Sequence, residues 1–203
     1  MQIFLRLIVR RHLCTIAIVL AATSQSFGGT ARDEAIPWYA PSGIMFQTAG
    51  FMGFVCVGAE YLFLRDRLVS DVVYGFVPEG VAGKNHHIIT LKSSLRPVRI
   101  DFSDTGHLFP FYFGVSMIYC PHKDTFLFLP DKYPDHYYKP TALHAVLNLG
   151  IELGWFNAQH RRYNSFYVEV CTLYIYLKTY AKNRSVIDFS DILSLALGYK
   201  IMI

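Results

Sequence analysis

The sequence predicts an all-β fold, an antiparallel up-and-down transmembrane β-barrel of eight strands formed by a single domain over residues 32–203. Three observations lead there. Over residues 141–155 the odd positions Leu143, Ala145, Leu147, Leu149, Ile151, Leu153 and Trp155 are all apolar, while the even ones, among them His144, Asn148, Gly150 and Glu152, are polar or small. That is the period of a strand, because a 3.6-residue helix would scatter the polar positions around its circumference. The chain is 53% hydrophobic, with Tyr 14 and Phe 16, yet beyond residue 31 no run reaches the ~18 apolar residues of a spanning helix. The same alternation also recurs along most of residues 48–203.

Taken in order, residues 1–31 read as a secretory signal peptide. Arg6, Arg10 and Arg11 form a basic start, Leu13 to Ala22 an apolar stretch, and small residues follow. Cleavage after Gly28 or Ala31 fits the small-residue rule, and Ala31 is favoured; an uncleaved anchor is the alternative. Cys14 precedes the apolar stretch, which argues against lipoprotein processing. The net charge of +4 falls to +1 without those three arginines, so nucleic acid is not an expected partner.

Predicted strands follow. Phe51, Val55, Val57, Ala59, Tyr61 and Phe63 alternate with Cys56, Gly58 and Glu60. Leu68, Val72, Tyr74 and Phe76 oppose Asp71 and Gly75, and Ile89, Leu91 and Leu95 oppose Thr90, Lys92, Ser94 and Arg96. Phe109, Phe111, Phe113, Val115, Met117 and Tyr119 oppose Tyr112, Gly114 and Ser116. Residues 141–155 come next, then Phe166, Val168, Val170, Tyr174 and Tyr176 against Tyr167, Glu169 and Cys171, and last Phe189–Ile203. Single-chain bacterial barrels have even strand numbers, so an eighth strand is sought in residues 35–47, where Ile44 and Phe46 flank Met45. Pro37 and Pro41 make that stretch a poor central strand, and a plug or amphipathic segment is the alternative. Leu64–Arg67 and Asn157–Arg162 are short polar turns, and residues 121–140 form the longest link.

The ending Gly198-Tyr199-Lys200-Ile201-Met202-Ile203 resembles the C-terminal assembly signal of bacterial outer-membrane barrels, a glycine followed by alternating hydrophobic residues to the end. Ile203 stands where that signal usually has an aromatic, and Ala196 where it usually has a polar residue. Through Gly198, Ile201 and Ile203 the resemblance implies an outer-membrane location, contact with outer-membrane lipid, and the barrel-assembly machinery as partner during insertion. It also places the long link outside the cell and both short turns in the periplasm.

With apolar faces toward lipid, the inner faces collect Glu60, Asp71, Lys92, Arg96, His144, Asn148, Glu152, Glu169 and Lys200. In a lumen this narrow, charges must pair; Lys92, Arg96 or Lys200 is expected to meet Glu152 or Glu169. An interior polar network is the first expectation. A catalytic set using His144 and Glu152 is the second, because eight-stranded outer-membrane lipid A deacylases place histidine, serine and an acid on the barrel wall. Val146 stands two residues beyond His144, so their local His-x-Ser arrangement is absent. No metal-ligand spacing occurs: His86 and His87 point to opposite faces of a strand, and His122 and His136 share a loop with Asp124, Asp131 and Asp135. No cofactor is expected. The glycines between Gly80 and Asn85 fit a hairpin loop better than a phosphate loop. Cys56, Cys120 and Cys171, odd in number, read as apolar fillers. Trp38, Tyr39, Tyr61, Phe63, Tyr119, Trp155, Phe156, Tyr176 and Tyr180 suit strand ends at a membrane interface, or simply β propensity.

The expected role is structural or surface-interacting rather than enzymatic, with a surface ligand left open. The alternatives are an outer-membrane lipid-modifying enzyme, and a secreted soluble barrel holding a small apolar ligand. In the last, the Leu143-to-Trp155 row would line the cavity.

Overall fold

Strict alternation leaves each strand with two unlike faces, and closing the sheet into a barrel separates them completely. The computed structural model describes residues 39–64, 66–122, 125, 142–157 and 162–203. Residues 1–31, where a signal peptide is expected, together with Trp38, Asp124, His136 and most of the link over 121–140, lie outside the described residues. Tyr39–Ile203 form one unit.

Eight strands make the wall: β1 (Gly43–Ala49), β2 (Val55–Phe63), β3 (Leu68–Val77), β4 (His86–Leu95), β6 (Gly106–Tyr119), β7 (Leu143–Asn157), β8 (Arg162–Leu173) and β9 (Ser194–Met202). Each pairs antiparallel with the next, β4 pairs with β6, and β9 returns to β1 in register from Gly43↔Met202 to Ala49↔Ala196. Full closure removes the exposed edges of an open sheet. A short β5 (Ile100–Ser103) pairs only with the start of β6, extending the wall at one end. Both barrel termini lie at that end, with the turn after Phe63. The opposite, far end carries the β1–β2 turn, a one-turn helix α1 (Glu79–Ala82), Cys120 and Ala142 at the two ends of the long link, and a helix α2 (Tyr174–Lys182) with a 3-10 turn at Phe189–Ile192.

The eighth strand is β1, beginning at Gly43 beyond Pro41. Four expectations need correction. Phe51 belongs to the β1–β2 turn, where its φ is +67°. The strand expected to reach Tyr176 stops at Leu173, and Tyr174 and Tyr176 begin α2; alternation of large residues over so short a stretch is compatible with either state. Phe189–Ile192 form a 3-10 turn, so the last strand begins at Ser194. Phe109 points inward rather than with Phe111 and Phe113, because the β6–β7 register shifts between Phe109 and Tyr112. Pro110, inside that shift, has no N–H to give a ladder, and an inserted residue reverses the facing of everything upstream.

The Leu143-to-Trp155 row faces out, with Leu149 57% and Ile151 53% exposed, while the even positions from Val146 to Gly154 are buried. Neighbouring strands do the same: Val55, Val57, Val72, Ile89, Leu91, Phe113, Val115, Val170 and Leu195 are all exposed. No helix among the described residues is long and apolar enough to cross a membrane. A soluble barrel holding an apolar ligand needs the opposite orientation of these rows.

Candidate functional site

The inner faces stack into two chemically distinct halves. Toward the far end the lumen is apolar, filled by Met52, Cys56, Ile88, Ile118, Val146, Cys171 and Ala196. Met52 arrives from the β1–β2 turn, whose backbone takes positive φ at Ala49, Gly50, Phe51 and Gly53 and so folds back into the barrel. The Met52 carbonyl lies where a side chain on Gly75 would stand, so only glycine fits opposite it. The turn stoppers the lumen.

Toward the other end the lumen is ionic. Glu60, Asp71, Lys92, Arg96, Asn148, Glu152, Glu169 and Lys200 are all buried, and His144 is half-buried at the start of β7, on the far rim. Lys92 meets Glu169 at 2.5 Å; Arg96 donates to Glu152 at 2.7 Å and to Glu60 at 3.5 Å. Lys200 bridges Glu60 and Glu152, the latter at 3.4 Å. Two tyrosines separate the halves. Tyr112 donates to Glu169 at 2.9 Å and Tyr167 to Gln47 at 2.7 Å. The Lys92 and Lys200 ammonium groups lie 5.1 and 5.2 Å from the Tyr167 ring centroid, and the Arg96 guanidinium lies 4.8 Å from that of Phe109. Both tyrosine rings occupy the space left by a cross-strand glycine, Tyr112 over Gly150 and Tyr167 over Gly198. Gly198, the glycine of the C-terminal ending, thus has a packing role within the barrel.

Comparison with protein-family models, curated proteins and solved structures finds no match.

The network holds four carboxylates and three cations. Asp71 is the surplus: it faces Glu60 and Lys92 in register, yet neither of its oxygens has a hydrogen-bond partner among the described residues. Glu60 Oε1, Thr90 Oγ1, Ser94 Oγ and Asn148 Oδ1 share that condition, while Asn148 donates to Ser116 at 2.5 Å. Every ionic partner here is enclosed, so the site holds charges in place rather than presenting them to a substrate.

The structure does not bring His144 and Glu152 together. They stand eight positions apart on β7, roughly 26 Å at strand rise, and Glu152 is occupied by Arg96 and Lys200. His86 and His122 stack at 5.5 Å, but no group of three metal-ligating side chains forms among the described residues. Cys56, Cys120 and Cys171 are free thiols, and burial pushes the Cys120 thiol, just past β6, above its ordinary value. Tyr112, Tyr167, Ser116 and Gln47 are interior partners that a search for charged residues passes over. The first three lie on faces the alternation already marks as inward; Gln47 sits on β1, whose pattern is too short to read.

Proposed function

We propose that this chain is an integral outer-membrane β-barrel with a structural or surface-interacting role, its lumen packed shut. One observation carries the reading: the barrel is inside-out for water, with its charges paired in the interior and its apolar rows exposed around the wall. Contiguous apolar surface on that scale is not stable in water, whereas a lipid-facing wall requires it. The outer membrane, rather than another bilayer, is supported by the amino-terminal leader and the C-terminal ending. The stoppered, ion-paired lumen supports a non-conducting role.

Fractionation tests the placement. The expressed full chain should partition with outer membranes, need detergent for extraction, and migrate differently on gels before and after boiling. Recovery as a soluble periplasmic monomer without detergent would overturn it. Lipid A from cells with and without the protein should show the same acyl pattern; a difference would favour the lipid-modifying alternative.

A further inference from the structure

Helix α2 stands at the far rim, leaving β8 directly at Leu173 and packing on β7 and β8. None of its residues is buried. Its stripes differ. Tyr176 meets Phe51 edge-on at 5.9 Å and Tyr180 meets Phe189 at 5.4 Å, so that side is anchored to the barrel's turns. Tyr174, Lys178 and Lys182, spaced by four, share another stripe, and all three are exposed. Arg184 follows, and residues 174–187 contain three cations and no acid. Lys178, Lys182 and Arg184 form no ion pair with a described residue. Beside them are uncovered apolar groups: Tyr174, Ile175 at 41% and Val186 at 85% exposed.

We propose that α2 and the segment to Ile187 form a docking surface for anionic lipid headgroups at the far-end membrane face, a reading that rests on the membrane placement above. Two features select this occupant. The segment is continuous with the apolar wall, since Leu173 leads from the wall into α2, so its exposed apolar groups lie where headgroup and acyl chain meet. The three cations, none of them in an ion pair with a described residue and followed in sequence by Asp188 and Asp191, have the sign that lipid phosphates complement. Lys178, Lys182 and Arg184 bind phosphate oxygens, while Tyr174, Ile175 and Val186 enter the interfacial layer.

The full chain is reconstituted in nanodiscs of phosphatidylcholine alone and of phosphatidylcholine with phosphatidylglycerol, and amide exchange over residues 174–187 is followed by mass spectrometry. Each cation near an anionic surface contributes about a fivefold factor, so exchange should slow by on the order of 100-fold with phosphatidylglycerol and recover about fivefold for each of Lys178→Gln, Lys182→Gln and Arg184→Gln. High salt should erase the difference in the unaltered protein. Equal exchange in both discs overturns the inference, as does protection retained by the triple variant, or protection reproduced by inorganic phosphate in phosphatidylcholine discs. Failure to enter discs of either kind overturns the membrane reading itself; entry with equal exchange overturns only the lipid-docking role.

Discussion

Glu152 lies buried between Arg96 and Lys200, and its removal leaves two cations facing one another across Glu60. Breaking one side of a buried pair costs about 3–5 kcal/mol, so Glu152→Ala should markedly lower the urea midpoint of the refolded barrel. Arg99→Ala, which breaks the exposed Arg99–Asp101 pair, should cost under about 1 kcal/mol. Asp71 is the contrasting case. It adds a fourth carboxylate with no hydrogen-bond partner among the described residues, so Asp71→Asn, which keeps shape and removes the charge, should not lower the midpoint. A loss as large as that of Glu152→Ala would show that Asp71 holds a cation in place. Gly198→Val pushes the Tyr167 ring out of its seat and should cost about 1–3 kcal/mol. Tyr167→Ala in the same chain should recover part of that loss, and additive losses in a double-mutant cycle would rule out the ring–glycine contact.

At the scale of elements, two local devices set the interior. Pro110 places a bulge in β6 that turns His107 and Phe109 inward at one end while Tyr112, Ser116 and Ile118 remain inward at the other. The β1–β2 turn, with two non-glycine residues at positive φ, drives Met52 into the lumen. Met52→Ala removes the turn's fully buried side chain from the lumen and should cost about 2–5 kcal/mol in thermal unfolding. A neutral result would mean that the turn rests on the rim instead of filling the lumen. Both devices were missed from sequence because each breaks the period on which the strands were read. The helix α2 was missed for the reverse reason, since Tyr174 and Tyr176 prolong the alternation of β8 after the strand has ended.

The barrel is an apolar sleeve around a lumen that is apolar toward the far end and ionic toward the other, and its stability depends on which solvent meets the sleeve. Leu149 is in the middle of the exposed row on β7. Leu149→Arg should cost about 2–4 kcal/mol and impair assembly if that row meets the bilayer midplane; in water the same change would be close to silent. Comparing the midpoints of Leu149→Arg in lipid with those of Glu152→Ala therefore reads outer and inner faces independently. If the arginine variant assembled normally while Glu152→Ala was silent, the two faces would be exchanged.

Residue types alone determined the class of fold. An unbroken period of two from Leu143 to Trp155 admits only a strand, and the even phase that carries His144, Asn148 and Glu152 marks a polar face, whatever lies beyond it. The sequence could not say which face was inner, because alternation is symmetric and a soluble barrel reads identically. Only closure of β9 on β1 decided it, by giving one phase no access to solvent. The partners within the lumen were likewise a tertiary matter. Glu169 finds Lys92 and Glu152 finds Arg96 across the barrel, between residues 77 and 56 positions apart, a distance at which spacing along the chain carries no information.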